Sequence, residues 1–187
     1  KSTSNRTELS IATKSWLMEF ASRDEYRNLR DEQLAIDSYK RSWSSAPFPP
    51  VFVTTDVLIV CAGHLLMIQR KRAPGKGLWA LPGGFLDPNE KLETCALREL
   101  EEETQLGVPQ EELKASLEKV RVFDHPLRSS RGRTITHAHL FRLKRTSLPS
   151  FKASDDAAAA KWVPLLDLGK MESVLFEDHF HMIHALL

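Results

Sequence analysis

Six glutamates fall within the fourteen residues from Glu90 to Glu103, at positions 90, 93, 99, 101, 102 and 103. Their spacing says more than their number. From Leu92 the apolar residues Leu92, Cys95, Ala96 and Leu100 follow helical spacing. The same i, i+3, i+4, i+7 stripe passes through positions 99 and 103. Both are Glu, so the period sends two carboxylates toward the inward face, with Glu102 at its edge. Burying an uncompensated carboxylate is costly, and a pairing cation or a metal ion is the usual remedy. Glu99, Glu102 and Glu103 converge over a single turn. Three close oxygen donors suit a hard divalent cation, Mg²⁺ or Mn²⁺, that keeps waters and takes phosphate oxygens as further ligands. Such an ion polarises a phosphoryl oxygen and lowers the pKa of a bound water. A backbone carbonyl of the Gly83-Gly84 turn, Gly84 in particular, can add a ligand. Arg98 is placed to pair with Glu90 and brace that turn. For Glu93 and Glu101 the ordinary reading of a charge run holds, a solvated helix face.

These groups need a scaffold. The turn Leu81-Pro82-Gly83-Gly84 is one that no helix or strand interior tolerates, so it must separate a short strand at Leu78–Leu81 from a helix over about Glu90–Thr104. Before it, Val51–Val60 and His64–Lys71 read as a β-hairpin. After it come a turn of helix at Gln110–Leu113, strands at Ser116–Asp124, Thr134–Leu143 and Ala159–Pro164, and a short turn or helix at Leu165–Lys170. A C-terminal helix is expected over Phe176–Leu187, with Phe176, Phe180, Ile183 and Leu187 on one stripe. The order predicts an α+β or α/β sandwich, its mixed sheet covered by the acidic helix and the C-terminal helix.

The first part of the chain differs. Lys1–Thr7 reads as a frayed or linking segment and Ile11–Phe20 as a short helix. Ser22-Arg23-Asp24-Glu25 fits a capping box opening a longer helix to about Trp43, with Tyr26, Leu29, Leu34, Ile36 and Tyr39 as apolar contacts. Ser44–Pro50 breaks it. The boundary is placed there: residues 1–46 as a helical linker or the tail of an upstream domain, residues 47–187 as the functional domain. The chain begins at Lys1 rather than Met, and upstream sequence is expected.

Composition excludes some classes. With a net charge of +1, 42% hydrophobic and 27% charged residues, no general affinity for nucleic acid or anionic membrane is expected. No apolar run nears the roughly 20 residues of a membrane span, and no signal peptide is visible. Cys61 and Cys95 read as buried free thiols of a cytoplasmic protein. Arg128, Arg131 and Arg133 flank Gly132 in a strand–strand loop, and Arg70 ends a strand near the site. They are either solvated charges or forks for a phosphate or ribose-phosphate group. Trp79, Phe123 and Phe48 are candidates for stacking on a base, and equally core aromatics. His125 and His137 read as structural, because hard cations prefer oxygen. Glu177-Asp178-His179 reads as a helix start with N-terminal acids and is assigned no chemistry.

Gly84-(five)-Glu90-(seven)-Arg98-Glu99-Leu100-Glu101-Glu102-Glu103-Thr104 resembles the Nudix box, G-x5-E-x7-R-E-U-x-E-E-x-G-U with U aliphatic. One fixed position departs: Gln105 replaces the usual Gly, at the helix C-terminus and at no ligand. The resemblance implies the Nudix α/β/α sandwich, preceded here by the helical segment. It implies that Glu99, Glu102 and Glu103 bind Mg²⁺ with Glu90 in support, and that the reaction is hydrolysis of a nucleoside diphosphate linked to another moiety. Three further segments, Pro49–Asp56, Pro74–Phe85 and Arg121–Ala138, resemble the C-terminal half of bifunctional nicotinamide mononucleotide adenylyltransferase/Nudix hydrolases. That half resembles an ADP-ribose pyrophosphatase of NAD metabolism, yielding AMP and ribose 5-phosphate. The transferase's H-x-G-H motif is absent, since Gly63-His64 lacks the preceding His, so transfer is not expected of this chain. By the same resemblance Asp155 or Asp156 can deliver the catalytic base, and a homodimer is expected. The rival readings are a Nudix enzyme with another nucleotide substrate, a non-catalytic ADP-ribose sensor, and an interaction module.

Overall fold

The computed structural model describes residues 11–152 and 157–187. Lys1–Thr7, Asp155 and Asp156 lie outside the described residues. The elements run α1 (Ile11–Ser22), α2 (Asp24–Ser42), β1 (Phe52–Cys61), β2 (His64–Arg70), β3 (Trp79–Ala80), β4 (Gly83–Phe85), α3 (Leu92–Thr104), α4 (Gln110–Ala115), β5 (Leu117–Phe123), β6 (Thr134–Leu143), β7 (Ala157–Pro164) and α5 (His179–Leu186), with two 3-10 turns between β7 and α5. The strands form one mixed sheet in the order β3-β2-β1-β6-β5. β4 adds to β1, and β7 to β2. β1 and β6 run parallel; β1 and β2 form the expected hairpin, closing at Cys61 and His64.

The alternation of β1 builds the three layers. Val57, Ile59 and Cys61 face one side, where they bury against Ala96, Leu97 and Leu100 of α3. Leu58 and Val60 face the other, against Met182, Ile183 and Leu186 of α5. A strand apolar on both faces belongs at the centre of a covered sheet, and β1 lies there. The result is the α/β/α sandwich expected from the box. No helix among the described residues is long and apolar enough to cross a membrane.

Several boundaries differ from expectation for identifiable reasons. Ser22 does not cap α2: it is still in the last turn of α1, where its hydroxyl donates to the Glu19 carbonyl, and Arg23 takes the N-cap position. Leu29 and Leu34 of α2 are exposed. Contact runs instead through Tyr39, stacked on Phe85 at 6.3 Å and edge-on to Phe52 at 5.6 Å, and through Trp43 against Phe52. α5 begins at His179 and not at Phe176, because Glu177 takes a left-handed backbone with φ 44°.

Gln105 explains how α3 ends. It occupies the left-handed conformation, φ 41° and ψ 51°, and its N–H bonds the Glu101 carbonyl. This is the helix terminus that glycine makes without a Cβ penalty. Gln105→Gly is expected to stabilise the protein by about 0.5–1 kcal/mol, read as a rise of about 1–3 °C in thermal midpoint.

Candidate active site

Helix α3 buries Cys95, Ala96, Leu97, Leu100 and Thr104. Leu97 joins the core stripe, while Glu99 and Glu103 flank it toward β4. Glu93 and Glu101 are exposed, as the charge-run reading has them. One cation organises the acids. Arg98 grips Glu90 with two hydrogen bonds, Nη2 to Oε1 at 2.6 Å and Nε to Oε2 at 3.1 Å. It also donates to Glu99 at 2.8 Å, to Glu102 at 3.1 Å and to the Phe85 carbonyl. Loop 86–91 is thereby tied to the helix. The Arg98 hydrogen bonds hold the Glu90 carboxyl down to about 2, while Glu90 drives the Arg98 pKa up.

Glu99 and Glu103 have the opposite problem. Burial pushes Glu103 up to about 8, against a hydrogen bond from the Gly83 N–H at 2.9 Å. Burial also raises Glu99, with Arg98 opposing. Between these acids and the interior stand two glycines. A Cβ built on Gly84 would lie 2.3 Å from the Glu99 carboxylate, and one on Gly83 would lie 2.2 Å from the Thr55 carbonyl oxygen. Gly83 and Gly84, expected as a turn, instead open strand β4 and form a thin partition: a side chain at 83 would meet main chain, and one at 84 would have to displace the Glu99 carboxylate.

On its other side is a small polar cavity of about 40 Å³, whose walls include Gly83, Gly84, Arg70, Arg128, Arg131, Phe176 and Glu177. Arg70 is fixed by its Nε bond to the Pro74 carbonyl at 2.8 Å and lies 4.0 Å over the Phe176 ring. Burial lowers its pKa. Arg131 lies 4.9 Å over Phe85. Arg128 is spent on a bidentate pair with Asp178, which locks the basic loop to the start of α5. Glu177 accepts from Ser129 Oγ and the Ser130 N–H and completes that lock.

Strand alternation sends Thr55 toward α3, where its Oγ1 meets Cys95 Sγ, and Asp56 toward the cavity. Asp56 accepts from Thr136 Oγ1 at 2.6 Å. His179 Nε2 stands 3.6 Å from its other oxygen. The Leu81 N–H donates to His179 Nδ1 at 3.0 Å, so Nδ1 is unprotonated and the proton sits on Nε2, facing Asp56. Burial holds the His179 pKa down, which keeps this ring neutral. A lone acid within VFVTTDVLIV was the available sequence signal for Asp56. His179 had none, since its partners are far away in the chain.

The structure thus brings Glu90, Arg98, Glu99, Glu102, Glu103, Gly84, Arg70 and Arg131 around one partition. Trp79 lies under Lys161 and packs on the core. Phe123 also packs on the core, beneath Arg121. Arg133 donates to the Asp124 carbonyl; none of these three lines the cavity. Among the described residues no three His, Cys, Asp or Glu side chains are arranged so that they could hold a metal ion. The donor chemistry nevertheless fits a hard cation. Glu99 and Glu103 are carboxylates whose pKa burial raises, and a bound cation favours their charged forms.

A family model described as NUDIX domain matches residues 51–186. An ADP-ribose pyrophosphatase from Methanocaldococcus jannaschii is 36% identical over 119 residues, 64% of this chain and 65% of its own. The ADPR responsive transcriptional repressor NtrR of Acinetobacter baylyi is 32% identical over 162 residues, 81% of this chain and 58% of its own. A crystal structure of a bifunctional NMN adenylyltransferase/ADP ribose pyrophosphatase from Francisella tularensis, complexed with AMP and a Mn ion, superposes with a TM-score of 0.88 at 43% identity. It covers 93% of this chain and 52% of that one. The chain spans between half and two thirds of the length of these relatives. With the box in place on α3, the sandwich around it and the family match across most of its length, the chain belongs to the NUDIX domain family.

Proposed function

We propose that residues 47–187 are a hydrolase domain that cleaves the diphosphate of ADP-ribose, or of a closely related nucleoside diphosphate derivative, to AMP and ribose 5-phosphate, as a step of NAD metabolism. The observation that carries this reading is the juxtaposition, across the Gly83-Gly84 partition, of the α3 carboxylates with Arg70 and Arg131. Glu99, Glu102, Glu103 and the Gly84 carbonyl would hold Mg²⁺ or Mn²⁺. When bound, the ion supplies Lewis-acid polarisation of a phosphoryl oxygen and acidifies a bound water. Arg70 and Arg131 match diphosphate oxygens. The cavity has room for only two or three waters, so a phosphate-sized group enters it while the nucleoside and ribose lie outside. Water attacks one phosphorus, and the bond to the bridging oxygen breaks. The water's proton goes to a carboxylate, Asp156 or Asp155 of the loop before β7 or a box glutamate. Trp79 and Phe123 are the aromatics offered to adenine, and Arg133 a further phosphate contact. Residues 1–46 act as the link from an upstream domain, and the domain pairs as a homodimer in the cytoplasm.

A second reading has its own support. The likeness to an ADPR responsive repressor extends over 81% of this chain, which favours ADP-ribose binding without turnover. One experiment separates the two. Incubated with ADP-ribose and Mg²⁺ or Mn²⁺, the protein is expected to release AMP and ribose 5-phosphate, resolved by ion-exchange chromatography. Tight binding without products favours the sensor; neither binding nor products removes ADP-ribose from consideration.

A further inference from the structure

We infer that α2 is part of the substrate site: Glu32 and Tyr39 are positioning residues that set the two cavity arginines, Arg70 and Arg131. The inference rests on the reading of that cavity as the diphosphate site. Two separate lines of contact lead from α2 to it.

The first begins at Glu32, whose Oε1 accepts the Gly75 N–H at 2.6 Å. Gly75 is seated so closely against Phe176 that a Cβ there would lie 2.3 Å from the ring. The neighbouring Pro74 carbonyl takes the Arg70 Nε–H at 2.8 Å, and the Arg70 guanidinium carbon lies 4.0 Å from the centre of the same Phe176 ring. One carboxylate of α2 thereby fixes the loop that holds Arg70 from the side and from below. A second cavity, of about 370 Å³, opens between α2 and this loop, lined by Asn28, Asp31, Ala73, Lys76 and Gly77 as well as Glu32. The loop is thus not packed flush on α2, and the Glu32 hydrogen bond holds it across a gap.

The second line begins at Tyr39, stacked on Phe85 with planes 17° apart. Phe85 carries Arg131 on its face at 4.9 Å, and its carbonyl accepts from Arg98. Tyr39 covers one face of the ring on which Arg131 rests, beside the edge-on contact from Phe52. A guanidinium over an aromatic face keeps its N–H edge for polar partners; in Arg131 that edge meets Ser129 Oγ and, at 4.0 Å, Glu177, contacts that a diphosphate would replace.

Both arginines would contact phosphate before and during reaction, so misplacing them weakens ground-state and transition-state binding alike. Such a loss raises KM and leaves kcat. In the full chain, Glu32→Ala and Tyr39→Ala are each expected to raise KM for ADP-ribose about fivefold to tenfold, the loss of one charge-assisted contact. kcat should stay within about twofold. Glu32→Gln keeps the acceptor and Tyr39→Phe keeps the ring, and both should restore KM. The double Ala variant should raise KM beyond either single change but short of the full product, because Arg70 and Arg131 both border the Phe176 ring.

A readout independent of substrate accompanies these. The Nε–H of Arg70 should give a slowly exchanging ¹H–¹⁵N cross-peak in the parent protein that Glu32→Ala, but not Glu32→Gln, brings into fast exchange with water. Unchanged KM together with an unchanged Arg70 signal in Glu32→Ala overturns the inference. So does a fall in kcat matched in the rescuing variants. If Tyr39→Ala fails to fold, the Glu32 pair decides. If the parent neither binds nor cleaves ADP-ribose, the functional reading falls, and the Arg70 signal still decides whether α2 fixes this arginine.

Discussion

Glu103→Gln should abolish most turnover and at the same time make the metal-free protein more stable at alkaline pH. Burial lifts the Glu103 carboxyl from its ordinary 4.5 to about 8. A carboxyl whose folded pKa is raised binds its proton more tightly in the native state. Its contribution to stability is therefore full below pH 4.5 and is lost as pH climbs through 8. That difference corresponds to about 5 kcal/mol at most, and to less once the site relaxes or takes up water. Glutamine presents an oxygen at the same place and never ionises. Melting curves of the metal-free proteins should coincide near pH 4.5 and separate by about 5–10 °C at pH 8, the variant higher. Addition of Mg²⁺ or Mn²⁺ should raise the parent's midpoint at pH 8 and leave that of Glu103→Gln nearly unmoved. Turnover should fall about 10²- to 10³-fold, the cost of one charge-stabilising group. A variant that remains fully active, or no more stable at pH 8, would show that Glu103 is not the buried charge of the site.

The second large effect separates two adjacent glycines. Gly83→Ala should destabilise the protein by about 3 kcal/mol or more. Its Cβ would meet the Thr55 carbonyl oxygen at 2.2 Å and the Asp56 Cα at 2.9 Å, both backbone of the central strand, which cannot move without disturbing the sheet. The neighbouring Pro82 carbonyl also accepts from the Val57 N–H, so a shift would propagate along β1. Gly84→Ala should be mild for the fold, because its Cβ meets only the far end of Glu99. That carboxylate can swing aside. The expected outcome is a urea midpoint close to the parent's, together with a loss of about 10²-fold in turnover. If both variants melt alike, the partition between the acids and the cavity is softer than its geometry implies.

How far the sequence reveals this site depends on the distance over which each residue finds its partners. The acids of α3 are legible because a helix repeats every few residues, and a glutamate on the wrong beat is visible locally. The bounds of β6, and the β1–β2 hairpin to within a residue at three of its strand ends, follow from local apolar patterning and a glycine turn for the same reason. Arg98 and Glu90 are only eight residues apart, across the start of α3, so their pairing could be anticipated. His179 is different: its contacts are Leu81, between β3 and β4, and Asp56 of β1, nearly a hundred or more residues earlier. Nothing in Glu177-Asp178-His179 itself distinguishes that role from an ordinary helix start. Arg128 could be read as a cavity arginine with Arg131, yet it is consumed by Asp178. Aromatics were the least legible, since a ring's neighbours are set only by tertiary packing.

The parallel pairing of β1 with β6 has a consequence for how the chain is made. Asp56 reaches Thr136 across 80 residues, and β1 keeps an open, apolar edge until that partner arrives. During synthesis, while the ribosome extends the chain through α3 and β5, Val57–Cys61 is an unprotected template for pairing with other chains. Closure over so long a separation is entropically slow. The cavity wall is finished last of all, when α5 emerges and delivers His179. Nascent or truncated chains are therefore exposed to aggregation for longer than their native stability suggests, and yield in expression should respond more strongly to synthesis temperature and chaperone supply than to small changes in melting point.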